Sequence, residues 1–285
     1  MLNYVVSRRR RLLPRIAMQW VCVSACLAMG VDAAAQAASQ AAPVLPPVTV
    51  SAQANRDPVE KSYRKMLRGL DLFEKQRATL SPNASLRFKL LPRRRDTDMR
   101  NIVIDVIGSR TDFPVPLAPD QTFTLDRNPQ ALAEDAQVVP DRKAQSLTWR
   151  SEIRTPGLPP GTRRLGDLRL ECQVGMEAGL ISGNGGLLGR MASAVLDSPA
   201  YCDKMDPRYL FFADQPVFSV TLVAGTRRFV LPVAKLYAAA SDGRESRDVS
   251  DCDCELLLDR TYFLPLGDRS WPDDTLVEFE TMDGE

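Results

Sequence analysis

Two segments far apart in the chain alternate strictly between hydrophobic and polar positions. In residues 165–176 (LGDLRLECQVGM), apolar side chains and Cys172 occupy every second position, with charged or amide side chains between them. Residues 251–258 (DCDCELLL) repeat the pattern around Cys252 and Cys254. A period of two is typical of a half-buried strand with its apolar face inward. The pattern therefore predicts two strands that carry their cysteines into the core.

Residues 57–81 have the clearest helical pattern. Asp57 is a suitable N-cap, Pro58 suits the first helical position, and Glu60 completes a capping box. An apolar stripe recurs at helical spacing through Val59, Tyr63, Met66, Leu67, Leu70 and Phe73. This stripe predicts an amphipathic helix that covers a sheet. In the alternative interpretation the helix docks on a partner, through Tyr63, Met66, Leu67 and Leu70.

Short alternating runs recur through most of the remaining chain. Several of them, with turn residues between, indicate an antiparallel β-sandwich over residues 82–177. A Gly-rich connector with a short helix follows over residues 178–204. A second β-rich region over residues 205–283 includes a hairpin that turns at Ala224 and Gly225. The predicted fold class is mainly β: one or more antiparallel sandwiches, an N-terminal amphipathic helix and a short mid-chain helix.

The first 37 residues have the organisation of a signal peptide. Five arginines precede an apolar run over residues 16–30, and small residues then offer a cleavage position after Ala35 or Ala37. A lipobox-like sequence that ends at Cys26 is the alternative, and it would leave a lipid anchor. After cleavage, residues 38–56 form a flexible linker. The prediction is a periplasmic or secreted protein with no transmembrane span in its mature part.

The most informative feature of the composition is the absence of histidine. The 285 residues include no histidine, which removes the commonest general base, serine–histidine triads and most zinc or copper sites. Residues 1–37 contain five of the 37 basic residues and one of the 36 acidic ones. The remainder has 32 basic and 35 acidic residues, a net charge of −3. This balance disfavours generic nucleic-acid binding.

Four cysteines remain after cleavage, namely Cys172, Cys202, Cys252 and Cys254. In an oxidising compartment they predict two disulfides with three possible connectivities. Cys252 and Cys254 are two strand residues apart, about 6.6 Å between Cα atoms, at the long end of the disulfide range. We therefore expect Cys172 and Cys202 each to bond to one member of that pair. A four-cysteine zinc site is the alternative, although the CxxC spacing is missing.

Three groups of polar residues are candidates for chemistry. Ser62 and Lys65 match the SxxK motif of penicillin-binding enzymes, and helical spacing brings them together. Asp251, Asp253 and Glu255 point from one predicted strand and could hold a hard cation such as calcium, although a solvated acidic face is the simpler interpretation. A basic turn at residues 93–95, with Arg87, Lys89 and Arg100, could contact anionic envelope polymers or lipid head groups.

Two short segments in the first β-region are similar in sequence to segments of a known type of domain. Residues 120–125 (DQTFTL) and 158–162 (LPPGT) resemble turn-and-strand phrases of carboxypeptidase regulatory-like (transthyretin-like) sandwich domains. Asp120 and Gln121 stand where those domains typically have Asp-Gly. The resemblance covers residues 85–176 and implies a β-sandwich there. More broadly, the chain resembles a family of secreted proteobacterial proteins whose function is not established, so it implies no site residues.

These patterns specify no catalytic residue, resident metal or cofactor. The leading hypothesis is a non-enzymatic periplasmic or cell-envelope binding or structural protein, with an envelope protein or an anionic envelope polymer as its partner. One alternative is an envelope hydrolase that uses carboxylates or the Ser62–Lys65 pair. The other is an envelope assembly factor that docks through its N-terminal helix.

Overall fold

The computed structural model describes residues 60–93, 96–143, 146–181, 198–237 and 255–282, with side chains from 258 onward in the last range. Several predictions therefore lie outside the described residues. They are the signal peptide with Cys26, the linker, the cap at Asp57, the helix within the Gly-rich connector, and residues 251–254 with Cys252 and Cys254.

Helices and strands alternate irregularly along the described residues. The α-helices are α1 (Tyr63–Leu80), α2 (Pro129–Ala133) and α3 (Leu165–Glu177), and 3-10 turns cover Pro199–Asp203, Val233–Lys235 and Glu255–Arg260. The strands are β1 (Lys61–Ser62), β2 (Ser85–Pro92), β3 (Ile104–Ile107), β4 (Asp112–Val115), β5 (Thr122–Phe123), β6 (Gln137–Pro140), β7 (Leu147–Arg154), β8 (Thr162–Arg164), β9 (Phe211–Phe212), β10 (Val217–Ala224), β11 (Arg227–Val230), β12 (Thr261–Tyr262) and β13 (Leu276–Thr281).

All paired strands in the described residues are antiparallel. They form four sheets with the orders β5-β2-β7, β1-β6-β3-β4, β11-β10-β13-β8 and β9-β12. The hairpin predicted at Ala224 and Gly225 is confirmed, because β10 pairs with β11 from Thr221 opposite Val230 to Ala224 opposite Arg227. Antiparallel sheets therefore predominate, as the alternating runs predict.

The prediction of a strand over residues 165–176 is wrong, because this segment is α3. The period of two assumed that the polar positions face water, yet Asp167, Arg169 and Glu171 are all buried. Asp167 accepts hydrogen bonds from the Thr155 amide and hydroxyl, and Arg169 donates to the Leu266 carbonyl at 2.8 Å. A helix surrounded by protein satisfies its polar side chains internally, so its sequence pattern no longer marks a solvent face.

The second predicted strand, over residues 251–258, is also not observed where it can be examined. Residues Glu255–Arg260 form a 3-10 turn that leads into β12. An i to i+3 turn does not place alternate side chains on one face. Glu255 consequently does not belong to a strand face that carries three carboxylates.

Helix α1 begins at Tyr63, later than predicted. Lys61 and Ser62 pair with β6 as a short strand, and the Ser62 Oγ then caps α1 by accepting from the Lys65 amide at 3.3 Å. The first helical residue is therefore set by the serine cap. Four residues of the apolar stripe are buried in the chain's own core, and Leu70 is half-buried; the buried ones are Tyr63, Met66, Leu67 and Phe73.

A disulfide joins Cys172 of α3 to Cys202 of the 3-10 turn Pro199–Asp203, with a Cα–Cα distance of 6.0 Å. The expectation that each would bond to Cys252 or Cys254 is therefore wrong. The expectation treated the segment around Cys172 as a strand, whereas α3 packs directly against the 3-10 turn and brings the two sulfur atoms together.

Two large hydrophobic clusters form the core. The first core joins α1 to the sheets β5-β2-β7 and β1-β6-β3-β4, through residues that include Tyr63, Phe88, Ile104, Val138 and Trp149. The second core joins α3 to the sheet β11-β10-β13-β8 and to β9-β12, through residues that include Leu168, Cys172, Phe211, Val220 and Tyr262. Leu170 and Val174 of α3 pack instead with Phe73 of α1 and Ile153 of β7. Helix α3 is thus the element between the cores.

Within the part of the chain that the structure describes, no helix combines the length and the hydropathy needed to cross a bilayer.

Candidate functional site

A polar cavity of about 170 Å³ lies where β2, β7, β8, α3 and the segment after β9 meet. Its charged lining consists of the cations Lys89, Arg150, Arg163 and Arg260 and the carboxylates Glu152, Glu171 and Asp214. The apolar part of the wall is formed by Leu91, Phe212 and Ala213. A cavity with this many charged groups in its wall is unusual, because charged side chains are rarely buried unless they are paired.

Strand register brings two of the cations together. In the β2–β7 ladder, Lys89 lies directly opposite Arg150. Like charges at opposed positions of an antiparallel pair repel each other. Lys89 is stabilised by two acids, with its Nζ 3.1 Å from Glu152 and 3.4 Å from Asp214. The sheet therefore holds two cations at the cavity and supplies counter-charges to one of them.

Glu171 and Arg163 form a buried ion pair in the cavity wall. Arg163 Nη2 lies 2.6 Å from Glu171 Oε2 and also donates to the Ile153 carbonyl at 2.8 Å. The Ile153 amide donates to the same carboxylate oxygen at 3.2 Å. Burial opposes the charged form of Arg163, but the facing carboxylate outweighs it, so the pKa of Arg163 lies above its usual value. Burial raises the pKa of Glu171, against the opposing influence of Arg163.

Asp214 belongs to a second, more exposed ion-pair group. Its carboxylate lies 2.8 Å from Arg154 Nη2, and Arg154 also reaches Glu152 at 3.1 Å. Burial raises the pKa of Asp214, but Arg154 and Lys89 outweigh burial, so the pKa lies below its usual value. The three carboxylates of the cavity wall are therefore already occupied by cations of the same chain.

Arg150 differs from the other cations of the wall. Arg150 is only 8% exposed. Its guanidinium lies over the Phe212 ring, with 4.4 Å between Cζ and the ring centroid. One nitrogen, Nη1, donates to the Trp149 carbonyl at 2.9 Å, while the buried Nε has no hydrogen-bond partner among the described residues. No described carboxylate lies within 4.0 Å of it.

The charge on Arg150 persists in this environment. Burial lowers the pKa of Arg150, yet arginine remains protonated in proteins because its unperturbed pKa is so high. Arg260 also contributes positive charge: its Nη1 donates to the Asp214 carbonyl at 2.7 Å, and its buried Nε is unpaired among the described residues. The cavity wall therefore carries a surplus of positive charge.

Two buried hydroxyls complete the polar surroundings of the cavity. Ser151 Oγ donates to the Glu171 carbonyl at 2.8 Å, and Tyr209 Oη donates to the same carbonyl at 3.4 Å. Burial raises the pKa of Tyr209 to about 12, so the phenol is protonated at neutral pH. Both hydroxyls are engaged with the backbone, and this arrangement positions α3 against β7. The geometry is suited to holding an anion beside Arg150.

Of the residues singled out from sequence, Lys89 of the basic group lines the cavity, and the other described ones lie elsewhere. Ser62 caps α1, which occupies its hydroxyl with the Lys65 amide. Among the described residues, no group of three or more His, Cys, Asp or Glu side chains could hold a metal ion. Asp251 and Asp253 lie outside those residues, and the side chain of Glu255 is not among the described ones.

The basic turn and the partner-facing stripe can be placed only in part. Arg93 is buried, and the next two arginines lie outside the described residues. Tyr63, Met66 and Leu67 pack inside the chain, where an external partner does not reach them.

Arg150 and Glu171 were missed as cavity residues because the sequence pattern places them at solvent-facing positions of strands. Arg150 alternates with apolar neighbours in β7, and Glu171 does so in the segment that proves to be α3. Both are buried in the structure. The chain offers one weak signal, which is a dense mixture of Arg and Glu beside apolar residues at 150–154 and 163–171.

A scan of protein-family models, a search of curated proteins and a search of solved structures each found no match to this chain.

Proposed function

We propose that this chain is a non-enzymatic binding protein of the cell envelope and that the polar cavity is its ligand site. The proposal rests on one observation. Arg150 is a buried cation in the cavity wall, and it forms no ion pair with a described carboxylate. An uncompensated buried charge costs several kcal/mol. A ligand that supplies the missing counter-charge recovers part of that cost on binding.

The envelope location is supported by two independent features. The first 37 residues carry the basic and apolar pattern of a signal peptide. The Cys172–Cys202 disulfide is typical of proteins that fold in an oxidising compartment. N-terminal sequencing of the exported chain tests this part of the proposal, with a start at residue 36 or 38 expected.

The sandwich architecture is also part of the proposal. The sheets β5-β2-β7 and β1-β6-β3-β4 contribute to one hydrophobic core, which is the relation expected of two packed sheets. Ser151 and Ile153 of β7, on the same face as the core residue Trp149, contact α3. Lys89 and Arg150 project from the opposite face of the sheet, so the cavity lies where β9 and the segment after it cover that face.

A ligand screen with a cavity-filling variant tests the binding function. Ala213 is in the cavity wall, so Ala213→Leu places three additional carbon atoms in the space that a ligand needs. Ala133→Leu is the matched control, because Ala133 is exposed at the end of α2. We expect compounds from a small-molecule library to bind the wild-type chain and the control, and to bind Ala213→Leu at least tenfold more weakly. Equal binding to all three chains would place the ligand site elsewhere.

A further inference from the structure

We infer that the ligand of the cavity is a small organic carboxylate whose head group pairs with Arg150, an inference that rests on the proposed function. Three features of the cavity support it: the charge of its wall, the distribution of hydrogen-bond donors, and the apolar surface beside them.

The charge of the wall selects an anion. Glu171 is held by Arg163, and Glu152 and Asp214 are held by Lys89 and Arg154. A cationic ligand would have to displace one of these pairs, since each carboxylate already has a partner. An anion displaces nothing, because Arg150 and Arg260 form no ion pair with a described carboxylate.

The available donors favour a planar oxyanion. A guanidinium offers its N–H groups in one plane, which matches the two oxygens of a carboxylate. Arg150 uses Nη1 for the Trp149 carbonyl and its Nε is enclosed by protein, whereas its Nη2 donates to no described residue. Nη2 of Arg150 is therefore the nitrogen that can meet a carboxylate oxygen, and the charge of Arg260 in the same wall adds to the attraction.

The rest of the wall distinguishes a carboxylate from inorganic phosphate. Phosphate is polar on every side and would meet Leu91, Phe212 and Ala213 on one side and three carboxylates on another. An organic carboxylate presents its apolar body to those three residues and its head group to Arg150. A cavity of about 170 Å³ is similar in size to one that holds benzene, so the body is limited to a few carbon atoms or one ring.

The ion pairs around Arg150 give the site a fixed frame. Arg163 connects β8 to β7 and α3 through the Ile153 carbonyl and Glu171. The Phe212 ring covers one face of the Arg150 guanidinium. A head group therefore approaches Arg150 at its unpaired edge, and the site requires little rearrangement on binding.

Calorimetric titration of the full chain tests this inference. The probes are acetate, propionate, butyrate and benzoate at constant ionic strength, with benzamide as the uncharged analogue of benzoate and inorganic phosphate as the competing oxyanion. We expect saturable 1:1 binding of at least one carboxylate, at least tenfold weaker binding of benzamide, and no saturable binding of phosphate. Binding of phosphate alone, or equal binding of benzoate and benzamide, would overturn the inference.

Variants at Arg150 separate a ligand role from a structural one. Arg150→Met removes the charge at similar length and should weaken carboxylate binding at least tenfold, and Arg150→Lys should weaken it less. Arg228→Met is the matched control, because Arg228 is an exposed arginine of β11 paired with Glu278. Without ligand, Arg150→Met should unfold at a temperature no lower than the wild type, since it removes a buried charge that lacks a counter-charge.

The outcomes of these experiments distinguish failure of the inference from failure of the proposed function. Unchanged carboxylate affinity in Arg150→Met, or a much lower unfolding temperature of that variant without ligand, would contradict the role of Arg150. Neutral compounds that bind the wild type and lose affinity in Ala213→Leu would retain the cavity as a ligand site and refute the carboxylate class. If no carboxylate binds at millimolar concentration, the inference is wrong.

Discussion

Around the cavity, buried charges differ in how completely the chain neutralises them. Arg163 and Glu171 form an ion pair with each other and also bond to the backbone of Ile153. Arg150 has an aromatic ring and one carbonyl but no described carboxylate. The first pair therefore contributes to the structure, and the single cation is available for a ligand.

Removing Arg163 should destabilise the fold strongly. In Arg163→Met the Glu171 carboxylate remains buried without its cation, and we expect the free energy of unfolding to fall by about 3–5 kcal/mol. Urea denaturation at pH 7 measures the change. The double variant Arg163→Met with Glu171→Leu should recover most of the loss, because both charges are then absent. An unchanged midpoint in the single variant would show that the pair is not buried as described.

The hydrogen bonds of Glu134, which lies away from the cavity, predict that the folded chain loses stability in acid. Its carboxylate accepts from the amides of Arg110 and Thr111 and from Gln130, and the Arg110 amide is the largest of the influences that lower the Glu134 pKa to about 2. The unfolded chain binds this proton at a higher pH, so the stabilisation is complete above the ordinary value of 4.5 and is lost as the pH falls towards 2.

The Glu134→Gln variant isolates that contribution. It should be less stable than the wild type at pH 7, and the difference should shrink as the pH falls from about 4.5 towards 2. Urea denaturation at several pH values gives the two curves. Parallel curves across that range would mean that Glu134 has the same pKa in the folded and unfolded chains.

At the scale of elements, the entry of α3 depends on a close approach that only glycine permits. A Cβ at Gly166 would overlap the Leu80 carbonyl oxygen and lie 3.0 Å from the Asp273 carbonyl oxygen. The Gly166 amide donates to that Asp273 oxygen at 2.8 Å. Backbone atoms on both sides cannot move aside as a flexible side chain can, so the start of α3 is fixed between α1 and the segment before β13.

Gly166→Ala should lower the free energy of unfolding by about 3 kcal/mol, despite the higher helix propensity of alanine. Gly157→Ala is the comparison, because a Cβ at Gly157 meets no atom within 4 Å and costs only its left-handed backbone, about 1 kcal/mol. Thermal unfolding of the two variants measures the difference. Equal losses would mean that α3 can shift to accommodate the methyl group.

Elements with one solvated face could be predicted from sequence, and those without one could not. β2, which alternates between exposed and buried residues, lies within residues 82–177 where the pattern predicts strands, and the β10–β11 hairpin turns where the sequence predicts it. The pattern failed for α3, where Asp167, Arg169 and Glu171 are buried with partners from distant segments. The cavity could not be predicted either. Its wall joins residues between β2 and the segment before β12 that only the tertiary fold brings together.

At the scale of the whole molecule, the disulfide connects α3 to the 3-10 turn Pro199–Asp203 at the end of the connector. The sequence separation of Cys172 and Cys202 is 30 residues. Cross-linking a loop of this length restricts the unfolded chain and is expected to contribute about 3–4 kcal/mol. It also fixes α3, which carries the cavity residue Glu171, against the chain segment that leads to β9, where Phe212 lines the same cavity.

The double variant Cys172→Ala with Cys202→Ala should lose about 3–4 kcal/mol in the free energy of unfolding. Denaturation under non-reducing conditions measures it, and reduced wild-type chain should behave as the double variant does. Peptide mapping without reduction should recover a peptide that contains Cys172 bonded to Cys202. A map that instead joins Cys172 to Cys252 or Cys254 would contradict the observed pairing.

The ligand site is tested most directly by a crystal structure of the chain grown with saturating benzoate. The account predicts benzoate in the cavity, with a carboxylate oxygen at hydrogen-bond distance, about 2.7–3.2 Å, from the Arg150 guanidinium and the ring beside Phe212 and Leu91. A cavity that holds only water under these conditions, with Arg150 paired to a carboxylate of the chain itself, would contradict it.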